Sequence, residues 1–165
     1  MIAILSWLSC ATVEPEEARP TAPQPIDDAE CAVCGMIVAE QAAPRGQVAH
    51  RDGTHAHLCS LGDLRAYVQA PGPRGRPVSI WVEGLEASYD PAQFDVGIRP
   101  WVAAKDATYV VGLSRPRVMG SPALSYAQRA PAERAASSIG GRVVGWAELV
   151  QTPFSEDPRQ PPITP

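Results

Sequence analysis

The residues with the clearest capacity for chemistry lie in one hexapeptide, Cys31-Ala32-Val33-Cys34-Gly35-Met36. Two thiols stand three positions apart, followed by a glycine that lets the backbone turn and then by a thioether. Thiolate and thioether are soft donors, which select a soft ion such as Cu(I) over hard, oxygen-seeking cations. Further soft or borderline donors lie downstream. Cys59 follows His55 and His57, and Met119 sits in Val118-Met119-Gly120. These features read as a chain folded to hold one soft metal ion. Cys34, Met36 and Met119 are the primary ligands, and Cys31, His57 and Cys59 are secondary candidates.

Three other readings compete. A C-x-x-C pair in an oxidising compartment is ordinarily a structural disulfide. A thioredoxin-like redox pair would open a helix within a βαβ unit, whereas Gly35-Met36-Ile37-Val38 reads as a turn into a strand. Zinc would accept Cys31, Cys34, Cys59 and His57 as a tetrahedral Cys3His set. The methionines favour copper, because a thioether is a poor zinc ligand and a good Cu(I) ligand. Either His55 or His57 could supply a nitrogen, since alternation puts both on the Cys59 face of one strand. His50 pairs with neither sulfur by spacing and reads as a surface residue. Asp52 and Asp63 have turn and helix-capping roles. No nucleophilic triad spacing, phosphate loop or dinucleotide glycine motif is found, so the chain reads as no enzyme and as having no small-molecule substrate.

The elements that must position these donors follow from local patterns. Gln47–Arg51 and His55–Cys59 alternate around Asp52-Gly53, a hairpin signal. Ser60-Leu61-Gly62-Asp63 matches a capping box, and Leu61, Leu64 and Val68 continue at helical spacing. Val78–Val82 is rich in strand formers. Residues 84–100 read as an irregular connection. Ala107–Val111, Ala123–Tyr126 and Arg142–Gly145 read as strands. Pro131 opens a helix over Ala132–Ser138 that Gly140-Gly141 stops. Trp146–Val150 is a short amphipathic turn. Each half runs strand, turn, strand, helix, strand. The expected class is α+β, with two small similar lobes of antiparallel strands, each carrying one helix.

The ends differ in composition. Residues 1–9 form a short apolar segment without Lys or Arg, and Leu8-Ser9-Cys10 reads as a lipoprotein cleavage site with Cys10 as the lipidated residue. Residues 10–30 are rich in proline and acidic side chains, as expected of an extended tether. The folded domain is expected over 31–150, with lobes at about 31–83 and 101–150. A proline-rich disordered tail is expected over 151–165. The net charge of −4 argues against nucleic acid, which needs a basic face. No apolar run approaches the ~20 residues that span a bilayer.

Four blocks in order carry a resemblance: Cys31–Met36, Leu58-Cys59-Ser60-Leu61-Gly62-Asp63-Leu64, Val118-Met119-Gly120, and Gly140–Val144 followed by Glu148-Leu149. Together they resemble the NosL lipoproteins, the nitrous oxide reductase accessory proteins, from Cys31 to about Val150. The resemblance implies a membrane-anchored copper-binding protein on the periplasmic side of a membrane. It implies a Cu(I) chaperone for the copper–sulfide centre of nitrous oxide reductase, working with a membrane transporter complex. It also implies two α+β lobes related to a domain of organomercurial lyase. By position, Cys34 and Met36 match the family's Cys-Gly-Met block, and Met119 matches its Met-Gly block.

Overall fold

A computed structural model of the chain describes residues 22–70, 72–115, 118 and 121–151. The first half contains β1 (Gly46–Ala49), β2 (His55–Leu58), α1 (Leu61–Gln69) and β3 (Ser79–Glu83). After a long irregular connection come β4 (Trp101–Ala103), β5 (Thr108–Val111), β6 (Leu124–Tyr126), α2 (Arg129–Ile139), β7 (Arg142–Val144) and α3 (Trp146–Gln151). The class is α+β, as expected.

The strands form two antiparallel sheets, ordered β2-β1-β3-β4 and β6-β5-β7. The shared plan is visible in that order. In each half the first strand of the unit lies in the middle, its hairpin partner on one side, and the strand that returns from the helix on the other. Strand β4 breaks the expected lobe boundary. It falls in the second half of the sequence but pairs with β3, placing Val102 beside Val82.

The two sheets share one core. Val48, Leu58, Leu64 and Val82 from the first half pack in the same buried cluster as Tyr109, Val111, Val144 and Leu149 from the second. Alternation along β5 explains this, since successive side chains point to opposite faces. Tyr109 and Val111 face the shared core, while Val110 joins Leu124, Tyr126, Ala132 and Ala136 under α2. Gly46 sets how closely α1 lies on β1. A Cβ there would stand 2.8 Å from Leu64 Cδ2.

A fully buried ion pair ties the irregular connection to the sheet. Arg45 Nη2 lies 2.7 Å from Glu83 Oε1, and both side chains are inaccessible to solvent. The guanidinium also donates to the carbonyls of Ala39, Val96 and Gly97, and Arg99 N–H donates to Glu83 Oε1. One side chain therefore clamps both the segment after the Cys-Gly-Met turn and the segment before β4.

Three expectations are corrected. The last part of the expected 10–30 tether is folded: Ile26 is 1% exposed, and Gln24 and Gln47 exchange hydrogen bonds of 2.9 and 2.6 Å. The expected strand after Gly35 is a single bridge, Ile37 to Glu30, followed by a 3-10 turn at Val38–Glu40. His50 is buried at 3% exposure and shares a 2.8 Å hydrogen bond with the Tyr67 hydroxyl, so it is not a surface residue. The expected signal segment at 1–9, Cys10 and Met119 lie outside the described residues.

Candidate metal centre

The Cys31–Met36 loop closes on itself through two backbone hydrogen bonds. Cys31 N–H donates to the Met36 carbonyl at 2.8 Å, and Gly35 N–H donates to the Cys31 carbonyl at 2.8 Å. Gly35 has φ +74°, a left-handed conformation that glycine adopts without the clash other residues incur. The loop is fastened to β2 by Ala32 N–H, which donates to the His57 carbonyl at 2.9 Å. Val33 is exposed at the tip, and Met36 packs, half-buried, against the shared core.

The opposite wall comes from the end of β2 and the start of α1. Strand alternation places Ala56 and Leu58 inward. Cys59 lies past the strand end and is also buried, so the period-two rule stops at Leu58. Ser60 then caps α1, its Oγ accepting from Asp63 N–H at 3.0 Å, as the capping signature predicts. The cap places Asp63 one turn beyond Cys59, and the Asp63 carboxylate accepts from the Cys59 thiol at 3.0 Å.

These walls bring Cys31, Cys34, Cys59 and Asp63 together, with one donor atom from each lying within 4.8 Å of all the others. Cys34 Sγ and Cys59 Sγ stand 3.4 Å apart, well beyond the ~2.05 Å of a disulfide, and all three cysteines are free thiols. Cys31 Sγ lies 3.6 Å from Asp63 Oδ2 and accepts from Cys59 N–H at 3.4 Å. Cys31 and Cys59 are buried, and Cys34 is half-buried at the rim.

The thiols differ in acidity. The Cys31 thiol is lowered to about 5, chiefly by the hydrogen bond from Cys59, with backbone N–H groups of Cys34, Cys59 and Val33 adding to this against the cost of burial. Cys59 is driven far upward, first by that same hydrogen bond, then by burial and by its bond to Asp63. Cys34 is raised, mainly by burial. The arrangement is one thiolate beside two protonated thiols. A metal ion would displace their protons.

His57 stands outside this group. Its ring stacks on His55 at 6.3 Å, and His55 lies parallel to Trp81 at 6.0 Å. Burial lowers the pKa of both histidines, and His57 Nε2 is buried without a hydrogen-bond partner among the described residues. Asp63 is the residue that sequence reasoning assigned to capping alone. The signal for it was Cys59-x-x-x-Asp63, one helical turn in length. Asp52 does fill its expected turn role, accepting from Thr54 N–H and Oγ1.

The family model for NosL matches residues 23–153. The copper-binding lipoprotein NosL of Stutzerimonas stutzeri is 30% identical over 130 residues, which cover 79% of this chain and 66% of that protein. The crystal structure of the copper chaperone NosL from Shewanella denitrificans superposes with a TM-score of 0.68 at 26% identity, covering 81% of this chain and 98% of that one. With the family model matched from the segment before the Cys-Gly-Met loop to just past α3, the chain belongs to the NosL family.

Proposed function

We propose that the chain is a membrane-anchored Cu(I) carrier on the periplasmic side of a membrane. Its cargo goes to assembly of the copper–sulfide centre of nitrous oxide reductase, with the membrane transporter complex as a further partner. Cys10 is the lipid attachment point, in keeping with a family relative that is named a lipoprotein. Cys34, Met36 and Met119 are the primary ligands, with Cys31 and Cys59 beside them.

One observation carries this reading: three free thiols converge, and one of them, Cys34, sits half-buried at the rim. A carrier must bind copper firmly and still release it, and a soft ligand at the rim permits exchange with an acceptor's ligands. Met36, two residues beyond Cys34 in the same closed loop, supplies the soft donor that zinc would not select. The role is transport, so no group is needed for turnover. The net charge of −4 suits encounter with a basic patch on the acceptor, which mainly speeds association.

The test is transfer. Cu(I)-loaded protein is mixed anaerobically with copper-free nitrous oxide reductase, and copper is measured on each after separation. Movement of copper to the reductase, lost in Cys34→Ser, supports the carrier. Retention of copper by the loaded chain contradicts it.

The zinc alternative with Cys31, Cys34, Cys59 and His57 has less support, since His57 does not join the three thiols. The thiol–disulfide alternative has less support too. Cys31 and Cys34 lie in a closed turn leading to a bridge and a 3-10 turn, not at the start of an α-helix.

A further inference from the structure

A groove of about 800 Å³ lies between the last turn of α1 and the loop that follows it. Tyr67 and Val68 give it an apolar wall. Arg74 and Arg76, both exposed, line it from the loop. Neither arginine joins an ion pair among the described residues, although Arg74 attracts the Asp52 carboxylate from a distance. His50 lines the groove as well, and its Nδ1 is buried without a hydrogen-bond partner among the described residues. An apolar wall, two cations outside any ion pair and an unmet polar atom suit an extended peptide that carries an apolar side chain followed by acidic ones.

We propose that residues 152–165 of this same chain fill the groove, with Phe154 against Tyr67 and Val68, and Glu156 and Asp157 against Arg74 and Arg76. These tail residues lie outside the described ones. The inference goes beyond the carrier reading and does not depend on it.

The starting point of the tail supports this occupant. Helices α1 and α3 pack together, and the Gln69 side-chain amide donates to the Val150 carbonyl. Gln69 itself lines the groove, so the tail departs from the groove's own rim. Reach agrees. Arg76 is seven residues beyond Gln69, and Asp157 is seven residues beyond Val150. At ~3.3–3.6 Å per residue the tail extends at least as far as the loop can. The loop is also shortened by a turn, in which Gly75 N–H donates to the Gly72 carbonyl.

Charge and sequence point the same way. Thr152-Pro153-Phe154-Ser155-Glu156-Asp157-Pro158 places one large apolar side chain two and three residues before a pair of carboxylates. Prolines at 153 and 158 flank this stretch and hold it extended, which lowers the entropy lost on docking. Exposed ion pairs are individually weak. Tethering offsets that, because a short connection raises the effective concentration of the tail at the groove. The docked tail has a consequence for the metal loop. Ala32, exposed beside Cys31, lines the same groove. The tail then covers one flank of that loop, and a protein that approaches from this side must displace it.

The test is NMR of the full chain, reduced and free of metal. Nuclear Overhauser contacts are expected from the Phe154 ring to the side chains of Tyr67 and Val68, unchanged on dilution. Arg74→Glu with Arg76→Glu should abolish them, as should Glu156→Arg with Asp157→Arg. All four changes together restore opposite charges and should bring the contacts back, which shows that the loss in each pair is not unfolding. Absence of the contacts in the wild-type chain overturns the proposal. So does their survival in both charge-reversed pairs. Contacts that disappear on dilution would place the tail of a second copy in the groove, and that too overturns docking within one chain. No metal enters the test, so none of these outcomes bears on the carrier reading.

Discussion

Cys34 and Cys59, 25 residues apart in the chain, bring their sulfurs to 3.4 Å. The contact joins the Cys-Gly-Met loop to the junction of β2 and α1, so neither segment alone makes the site. Replacing either by serine should lower Cu(I) affinity by about tenfold or more. The double variant should lose less than the sum of the two, because the residues share one ion. Competition titration with a Cu(I) chelator measures all three, and full additivity would mean that the two sulfurs serve separate sites.

Metal binding should release protons. Cys34 and Cys59 both have raised pKa values and are protonated near neutrality, so an ion coordinated by both displaces about two protons. Cys31, lowered to about 5, is already a thiolate and releases none near neutrality. Apparent affinity should therefore rise with pH between about 6 and 8 and fall as the solution is acidified. Calorimetry in buffers of different ionisation enthalpy counts the protons. A count near zero would place the ion away from both thiols.

The Arg45–Glu83 pair predicts a stability effect separable from binding chemistry. Glu83→Ala leaves the Arg45 guanidinium buried without its carboxylate and should cost about 3–5 kcal/mol, read from urea unfolding of the metal-free chain. Arg45→Met with Glu83→Leu removes both charges and should be far less costly. A Glu83→Ala loss below about 1 kcal/mol would mean that the pair is not sealed from water.

The proposed membrane anchor is Cys10. Cys10→Ser expressed in a bacterial host should move the protein from the membrane fraction to the soluble one while leaving its Cu(I) affinity unchanged. Unchanged partitioning would remove the lipid anchor from the account.

Much of this architecture was legible in the chain. The Asp52-Gly53 hairpin, the Ser60 cap and the stop at Gly140 are local signals, and local hydrogen bonding made each of them. Strand β4 carried no such signal, because its three residues are held by pairing with β3, a tertiary fact. His50 looked like a surface residue because its partner, Tyr67, is contributed by a helix 17 positions away. Within the site, Cys31, Cys34 and Cys59 were legible from donor type. Asp63 was hidden by its second role, since a residue that completes a helix cap gives no sign of where its carboxylate points.

The central claim is that this cluster binds Cu(I) as cargo. The most direct measurement is an anaerobic titration of the reduced chain with Cu(I), and separately with Zn(II), against chelators of known affinity. The account predicts one Cu(I) per chain, held far more tightly than zinc and weakened by Met36→Ala with Met119→Ala. Zinc displacing Cu(I), or Cu(I) affinity untouched by loss of both methionines, would contradict it.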